Sequence, residues 1–458
     1  MTTAPRALPR VLGLFDITVL AGAAMGPAYS LATTLGPMVA AAGSLAPAAF
    51  VALTAIMLCV ASAFARLSAT RPNAGSSYAW IAQSFGPRAG AYGAWLLVLS
   101  NYFATMTTAI PAGVYTLALF APSLADSAPA TAIVGAAWIL ASAVLLAFGL
   151  RPTALVTAAF FAVEVAVLGA SAVAAVVLPH APERLAASHA VVPAAAAGGF
   201  VSAMVLAIWM SDGWEVSASA SEETTGPGAT AGRGGIVGLL ITSAILLVAM
   251  LAYQRVGSVA GFSAHQTDAM AYVADRLGGG WWRIAIVFTV LVSTAATLWT
   301  TMLYLSRSVF AMGRDGVLPS ALGTLDKRAV PLGALLTVTV LVTAFTLLTG
   351  FSPSVKDALG LVLNGTSAFL GLLFAGSAAA ALREPGRRLD PAMLVPAFGA
   401  VALLGIVAVS IARADAATQR IELAGLALGV PFALWRGGRT RPFSKVLEGG
   451  GDEHPALT

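Results

Sequence analysis

Three carboxylates stand in long apolar runs, where few charges belong. Glu164 lies within Phe160-Phe161-Ala162-Val163-Glu164-Val165-Ala166-Val167, and Asp212 and Glu215 lie within Trp209-Met210-Ser211-Asp212-Gly213-Trp214-Glu215. A charge at the centre of a bilayer costs from about 3 to more than 10 kcal/mol, so ionisable groups at that depth are kept for a function. An apolar setting also disfavours the charged form of a carboxyl, which suits reversible protonation. Glu164 reads either as a proton-coupling group or as a neutral carboxyl hydrogen-bonded to a neighbouring helix. Ser293, Thr294 and Thr297 cluster in another apolar run. Their hydroxyls could bind sodium, meet a carboxyl, or simply allow helices to pack closely. Asp16 opens the first apolar run, near where an interface would fall.

Other chemistries have little to build on. The four histidines, His180, His189, His265 and His454, fall in loops or the tail without metal-ligand spacing. Cys59 is the single cysteine, so no disulfide framework is possible. Neither a metal nor a cofactor is called for, and no nucleophile–base pair sits at depth, so an enzyme is not expected. A net charge of +5 and a pI near 9.6 could suggest nucleic acid. Arginine in the short loops of a membrane protein explains them better, and no nucleic-acid partner is expected.

The elements that must position these groups are transmembrane helices. Of the 458 residues, 58% are hydrophobic and 10% charged, and the mean hydropathy is +0.86. A soluble domain carries about 25% charged residues, so this chain cannot coat a water-facing surface. Its apolar runs repeatedly reach the roughly 20 residues that cross a bilayer. They show no alternation of the kind a β-barrel needs. The fold class is therefore an all-α polytopic membrane protein with about twelve spans.

The spans are predicted near 12–36, 39–65, 86–118, 130–149, 153–178, 198–220, 234–256, 283–311, 332–350, 357–381, 391–411 and 420–435. The first follows a short basic leader and reads as a retained span rather than a signal peptide. With these boundaries 18 of the 25 Lys and Arg residues face one side and seven the other. The positive-inside rule puts both termini in the cytoplasm. Tails are expected at 1–11 and 436–458, around a membrane domain at 12–435.

Two spans break the rules of the bilayer, where no water satisfies a freed backbone group. The first is interrupted at Gly22-Ala23-Ala24-Met25-Gly26-Pro27-Ala28-Tyr29-Ser30, where Pro27 removes a donor. The sixth is interrupted from Trp209 to Glu215. Interruptions at corresponding positions of two halves point to a transporter's central site.

Four segments, in order, resemble the amino acid–polyamine–organocation transporter superfamily over nearly the whole chain. Gly22-x-x-Met25-Gly26-Pro27-Ala28 lies where the family shows a glycine, three residues and Gly-Ser/Thr-Gly. Pro72-Asn73-Ala74-Gly75-Ser76-Ser77-Tyr78 is similar to its Pro-x-Ala-Gly-x-x-Tyr signature. The break at Trp209–Glu215 followed by Ser221-Glu222-Glu223-Thr224 is similar to its sixth span and trailing acidic pair. Arg307 through Ala311-Met312-Gly313-Arg314-Asp315-Gly316-Val317-Leu318-Pro319 resembles its eighth-span exit.

The resemblance implies a bacterial amino acid permease with a 5+5 inverted repeat (LeuT-like), broken helices 1 and 6, and two trailing helices. The repeats would occupy 12–178 and 198–381, and the extra helices 391–435. It implies substrate binding between the broken helices, with Met25, Gly26, Pro27, Ala28 and Tyr29 on the carboxylate side. Trp209, Ser211, Asp212 and Gly213 would line the amine side, Trp209 as an aromatic gate. Asn101 would reach a substrate side chain or serve helix packing. Glu164 falls near where some proton-coupled members place a lysine, with Ser293 and Thr294 as further coupling candidates. Pro27 and Ala28 make a poorer amide cradle than Gly-Ser/Thr-Gly, and Asp212 adds charge, so an amine remains an alternative substrate. The expected function is secondary active transport of amino acids across the plasma membrane by alternating access, coupled to protons. The alternative is a polyamine or amine transporter or exchanger. The partners expected are a small-molecule substrate, protons and lipid; the sequence leaves the oligomeric state open.

Overall fold

A computed structural model of the chain describes residues 7–178, 194–266, 268–383 and 391–437. Most of the two expected tails, and with them His454, lie outside the described residues, as do His180 and His189. Among the described residues eight helical segments are long and apolar enough to cross a bilayer. The first of these, Leu14–Thr70, contains the first two expected spans.

The helices are α1 (Leu14–Met25), α2 (Pro27–Ala42), α3 (Ala46–Thr70), α4 (Ser77–Phe85), α5 (Pro87–Phe120), α6 (Ala128–Ala147) and α7 (Leu150–Val177). They continue as α8 (Ala194–Met210), α9 (Val216–Ser219), α10 (Thr230–Val256), α11 (Val259–Ala264), α12 (Ala269–Arg276) and α13 (Trp281–Arg314). The chain closes with α14 (Leu332–Leu348), α15 (Val355–Leu382), α16 (Leu394–Arg413) and α17 (Ala416–Gly437). The order of helices fits the expected two five-span units followed by two further helices. Helices α1 to α7 form the first five-span unit, α8 to α15 the second, and α16 and α17 trail.

Apolar side chains are turned outward in the manner of a bilayer protein. Phe15, Ile133, Leu155, Val340 and Val401 project from the surface, while Glu164, Arg307 and Ser293 are fully buried. Lipid accepts the apolar outer faces, and the interior holds these polar groups among closely packed apolar side chains. Helix α13 runs through the centre and packs on α5, α7 and α14. The short α4 was not foreseen as a separate element. Gly86 ends it at φ 92°, and Pro87 opens α5 directly behind it.

Candidate functional site

Helix α1 stops at Gly26, whose left-handed φ of 52° and ψ of 70° no β-carbon residue adopts cheaply. Pro27 then starts α2, where its locked φ suits the first helical turn and its missing N–H costs nothing. Glycine ends one helix and proline begins the next, within two residues. The amides of Ala28 and Tyr29 are left pointing out of the end of α2.

Both are answered by protein groups. Ala28 N–H donates to Glu164 Oε1 at 2.7 Å, and Tyr29 N–H donates to Ser293 Oγ at 3.0 Å. The Ser293 hydroxyl in turn donates a hydrogen bond to the same Glu164 Oε1. A carboxylate at the positive end of a half-helix is a favoured pairing. Glu164 Oε2 is buried without a hydrogen-bond partner. Thr297 Oγ ties the end of α1 to α13 by donating to Ala23 O at 3.1 Å.

The second break leaves residues 211–215 between α8 and α9 without α-helix. Gly213, at φ 105°, lies against the first break, and its N–H donates to Glu215 Oε2 at 2.9 Å. Asp212 Oδ1 has no partner. Trp214 turns away from the site and packs edge-on to Phe64 at 5.0 Å between ring centres.

Between the two breaks is a small cavity of about 30 Å³, room for a water or two. Met25, Tyr29, Asn101, Trp209, Asp212 and Gly213 line it, and among its described lining residues none is Lys, Arg or His. Trp209 also borders a second, larger vestibule of about 470 Å³ between α2, α8 and α15 to α17. The indole thus separates a wide entrance from a narrow site.

The opposite face is locked. Arg314 makes a two-pronged contact with Glu222, each arm 2.9 Å long, and Ala74 N–H donates to the same carboxylate at 2.9 Å. Tyr78 OH donates to Asp315 Oδ2 at 2.7 Å. Arg307 and Glu223 pair at 3.2 Å, each only 2% exposed. Val11 and Leu12 N–H donate to Glu223 O, which pins the start of the chain to the same lock. Three of the four signature segments therefore meet in one closure, although Tyr78 and Asp315 at its ends are 237 positions apart.

The structure gathers most of the sequence-predicted site and rearranges part of it. Gly26, Pro27, Ala28 and Ser211 stand behind the cavity rather than on it. The amide cradle expected to be exposed is covered by Glu164 and Ser293. Thr294 donates to Val290 O of its own helix at 2.6 Å, and Thr297 takes the place beside the break. Asn101 lines the cavity while its Nδ2 donates back to Leu97 O at 2.9 Å. Thr300, Thr301 and Tyr304, outside the expected site, line the cavity with Thr297. Their i, i+3, i+4, i+7 spacing on one helix face was the available signal.

A family model described as "Amino acid permease" matches residues 12–421. An uncharacterized transporter of Mycobacterium tuberculosis is 28% identical over 461 residues, covering 99% of this chain and 98% of its own length. The branched-chain amino acid permease of Bacillus subtilis is 26% identical over 346 residues, 71% of this chain and 72% of that one. Among solved structures, the manganese transporter of Eremococcus coleocola superposes with a TM-score of 0.59 at 13% identity, over 95% of this chain and 98% of that one. That likeness is one of fold.

Proposed function

Because this chain belongs to the amino acid permease family, we propose that it carries amino acids across the plasma membrane by alternating access, coupled to protons. At the level of family and relatives it is a multi-pass membrane transporter and not an enzyme. One observation carries the finer reading: a buried carboxyl, Glu164, holds the N-terminal end of α2 directly behind the cavity between the two broken helices. A proton taken up there changes the charge at the helix end that faces the substrate.

In this reading the substrate carboxylate lies toward Met25, Gly26, Pro27, Ala28 and Tyr29. The amino group lies toward Trp209, Ser211, Asp212 and Gly213, and Asn101 meets the side chain. Ala24, Ala104 and Val216 add apolar lining. Together with the branched-chain relative they favour aliphatic amino acids. The lock of Glu222, Glu223, Arg307 and Arg314 is assigned to the cytoplasmic side with both termini, following the basic residues. The vestibule bordered by Trp209 then opens outward. Residues 12–178 and 198–381 form the moving repeats, with 391–435 as accessory helices.

An amine carrier is the second reading. It is favoured by Asp212, whose Oδ1 lacks a partner in a cavity with no basic lining residue among those described. Uptake of radiolabelled leucine and alanine into liposomes under an inward proton gradient tests the proposal, with competition by other amino acids and diamines. Gradient-driven uptake with amino acid competition supports it. Uptake of labelled putrescine but of no amino acid would transfer support to the amine reading.

A further inference from the structure

We propose that Glu164 and the substrate's carboxylate are alternative occupants of the positive end of α2, so that one proton enters with each carboxylate-bearing substrate. This rests on the transport reading above and adds to it the reason for coupling and the chemical feature of the substrate that is coupled.

Few backbone donors are free at the end of α2. Pro27 has none, and the Ser30 amide already donates to Gly26 O at 2.7 Å as the first bond of the helix. Only Ala28 and Tyr29 remain at the end of α2. One side chain answers both, Ala28 directly and Tyr29 through the Ser293 hydroxyl. No unengaged amide is left there for a second anion.

Among the described residues no Lys, Arg or His pairs with Glu164. From α13 it meets Ser293, with Thr294 and Thr297 nearby, and none of these titrates. Helix α10 brings Thr242 against Gly22 of α1 and Tyr253 onto Ser171 Oγ of α7 at 2.6 Å, and neither carries a positive charge. Tyr29 of α2 donates its hydroxyl to Thr107 O at 3.1 Å. The facing stretch of α1 contributes only backbone and apolar groups, its one acid being Asp16 at the far end. Helix α6 has no ionisable residue. Across the cavity stand Asp212 and Glu215, both acids. Among the described residues the end of α2 and the Ser293 hydroxyl are thus the donors that meet Glu164 Oε1, and Oε2 has no hydrogen-bond partner.

Two carboxylates cannot share that end, because like charges repel strongly where water is excluded. A proton on Glu164 removes its charge and weakens its hold on Ala28 N–H, since charge-assisted hydrogen bonds are about twice as strong as neutral ones. The substrate carboxylate then takes the helix end, and its departure returns the end to ionised Glu164. A substrate lacking the carboxylate does not need the exchange and draws no proton with it.

The test measures affinity in wild-type protein for the carried amino acid and its decarboxylated amine, from acid to alkaline pH. Leucine and 3-methylbutylamine are the pair used. Leucine affinity is expected to fall about tenfold per pH unit once Glu164 ionises, as a one-proton linkage requires, while the amine keeps its affinity. Glu164→Gln, a neutral carboxyl mimic, should bind leucine at its acid-pH affinity with no slope. Equal slopes for leucine and the amine would overturn the proposal, as would a leucine slope that survives in Glu164→Gln. The first comparison needs no variant to fold. Failure of any amino acid to enter liposomes would instead sink the transport reading, leaving the two outcomes distinct.

Discussion

Gly213 rests on the backbone of Ala24. A β-carbon at position 213 would come within 2.5 Å of the Ala24 carbonyl carbon and oxygen. The break in the sixth span is thereby pressed against the end of α1, and the two broken helices touch through main chain rather than side chains. The φ of 105° at Gly213 adds a second reason for glycine.

Gly213→Ala should therefore separate the two breaks. A non-glycine residue in such a conformation costs about 1–3 kcal/mol, and the close backbone contact adds to it. Transport should fall about tenfold or more while the protein still reaches the membrane. Uptake normalised to the amount of inserted protein reads this, and wild-type rates in the variant would show that the contact does not govern the site.

Trp209 borders both the vestibule and the central cavity. Trp209→Ala should join the two spaces, so substrate leaves faster and KM rises, by about tenfold or more if the indole acts as a buried aromatic anchor. Trp209→Phe should recover most of the affinity. An unchanged KM in the alanine variant would remove the gate from Trp209.

The Arg307–Glu223 pair is closed off from water on both sides, at 2% exposure each. Removing one partner of such a pair leaves a buried charge alone, at a cost of about 3–5 kcal/mol. Arg307→Ala should lower the unfolding temperature sharply in detergent. The volume-conserving double variant Arg307→Met, Glu223→Leu should recover much of it, yet transport should stay impaired because the lock has lost its polar closure. Full activity in the double variant would relegate the pair to a purely structural role.

Asp315, just beyond the end of α13, gives a pH-dependent stability. Burial pushes its carboxyl above the ordinary aspartate value, against the opposing pull of Arg314 and Tyr78. Above the ordinary range the folded protein then holds a proton that the unfolded chain has lost. Stability contributed at this position falls as pH rises through that window. Asp315→Asn keeps an acceptor for the Tyr78 hydroxyl and should flatten that fall. Thermal unfolding across the mildly acid range checks it, and an unchanged slope would place the titration elsewhere.

How much of this was legible follows from range along the chain. The Gly26-Pro27 break could be read directly, because glycine and proline act on their own backbone and need no neighbour. Glu164 announced itself by its composition, as a charge in an apolar run. Its partner did not, because Ala28 and Glu164 are 136 positions apart and no local pattern encodes that pairing. The same applies to Thr294 and Thr297. Both looked equally available as hydroxyls, and only the rotation of α13 against α1 put Thr297 at the break.

The sequence by itself determined the solvent, the spans and the two places where helices stop, since hydropathy, charge placement and backbone chemistry are local and additive. The tertiary structure alone decided that the amides at the end of α2 are covered by Glu164 and Ser293. It also decided that Asp212 faces the cavity while Trp214 packs away from it, and that three distant signatures close into one lock. Those outcomes depend on how helices pack across long loops, and packing is set by the shape of every neighbour at once rather than by any one segment.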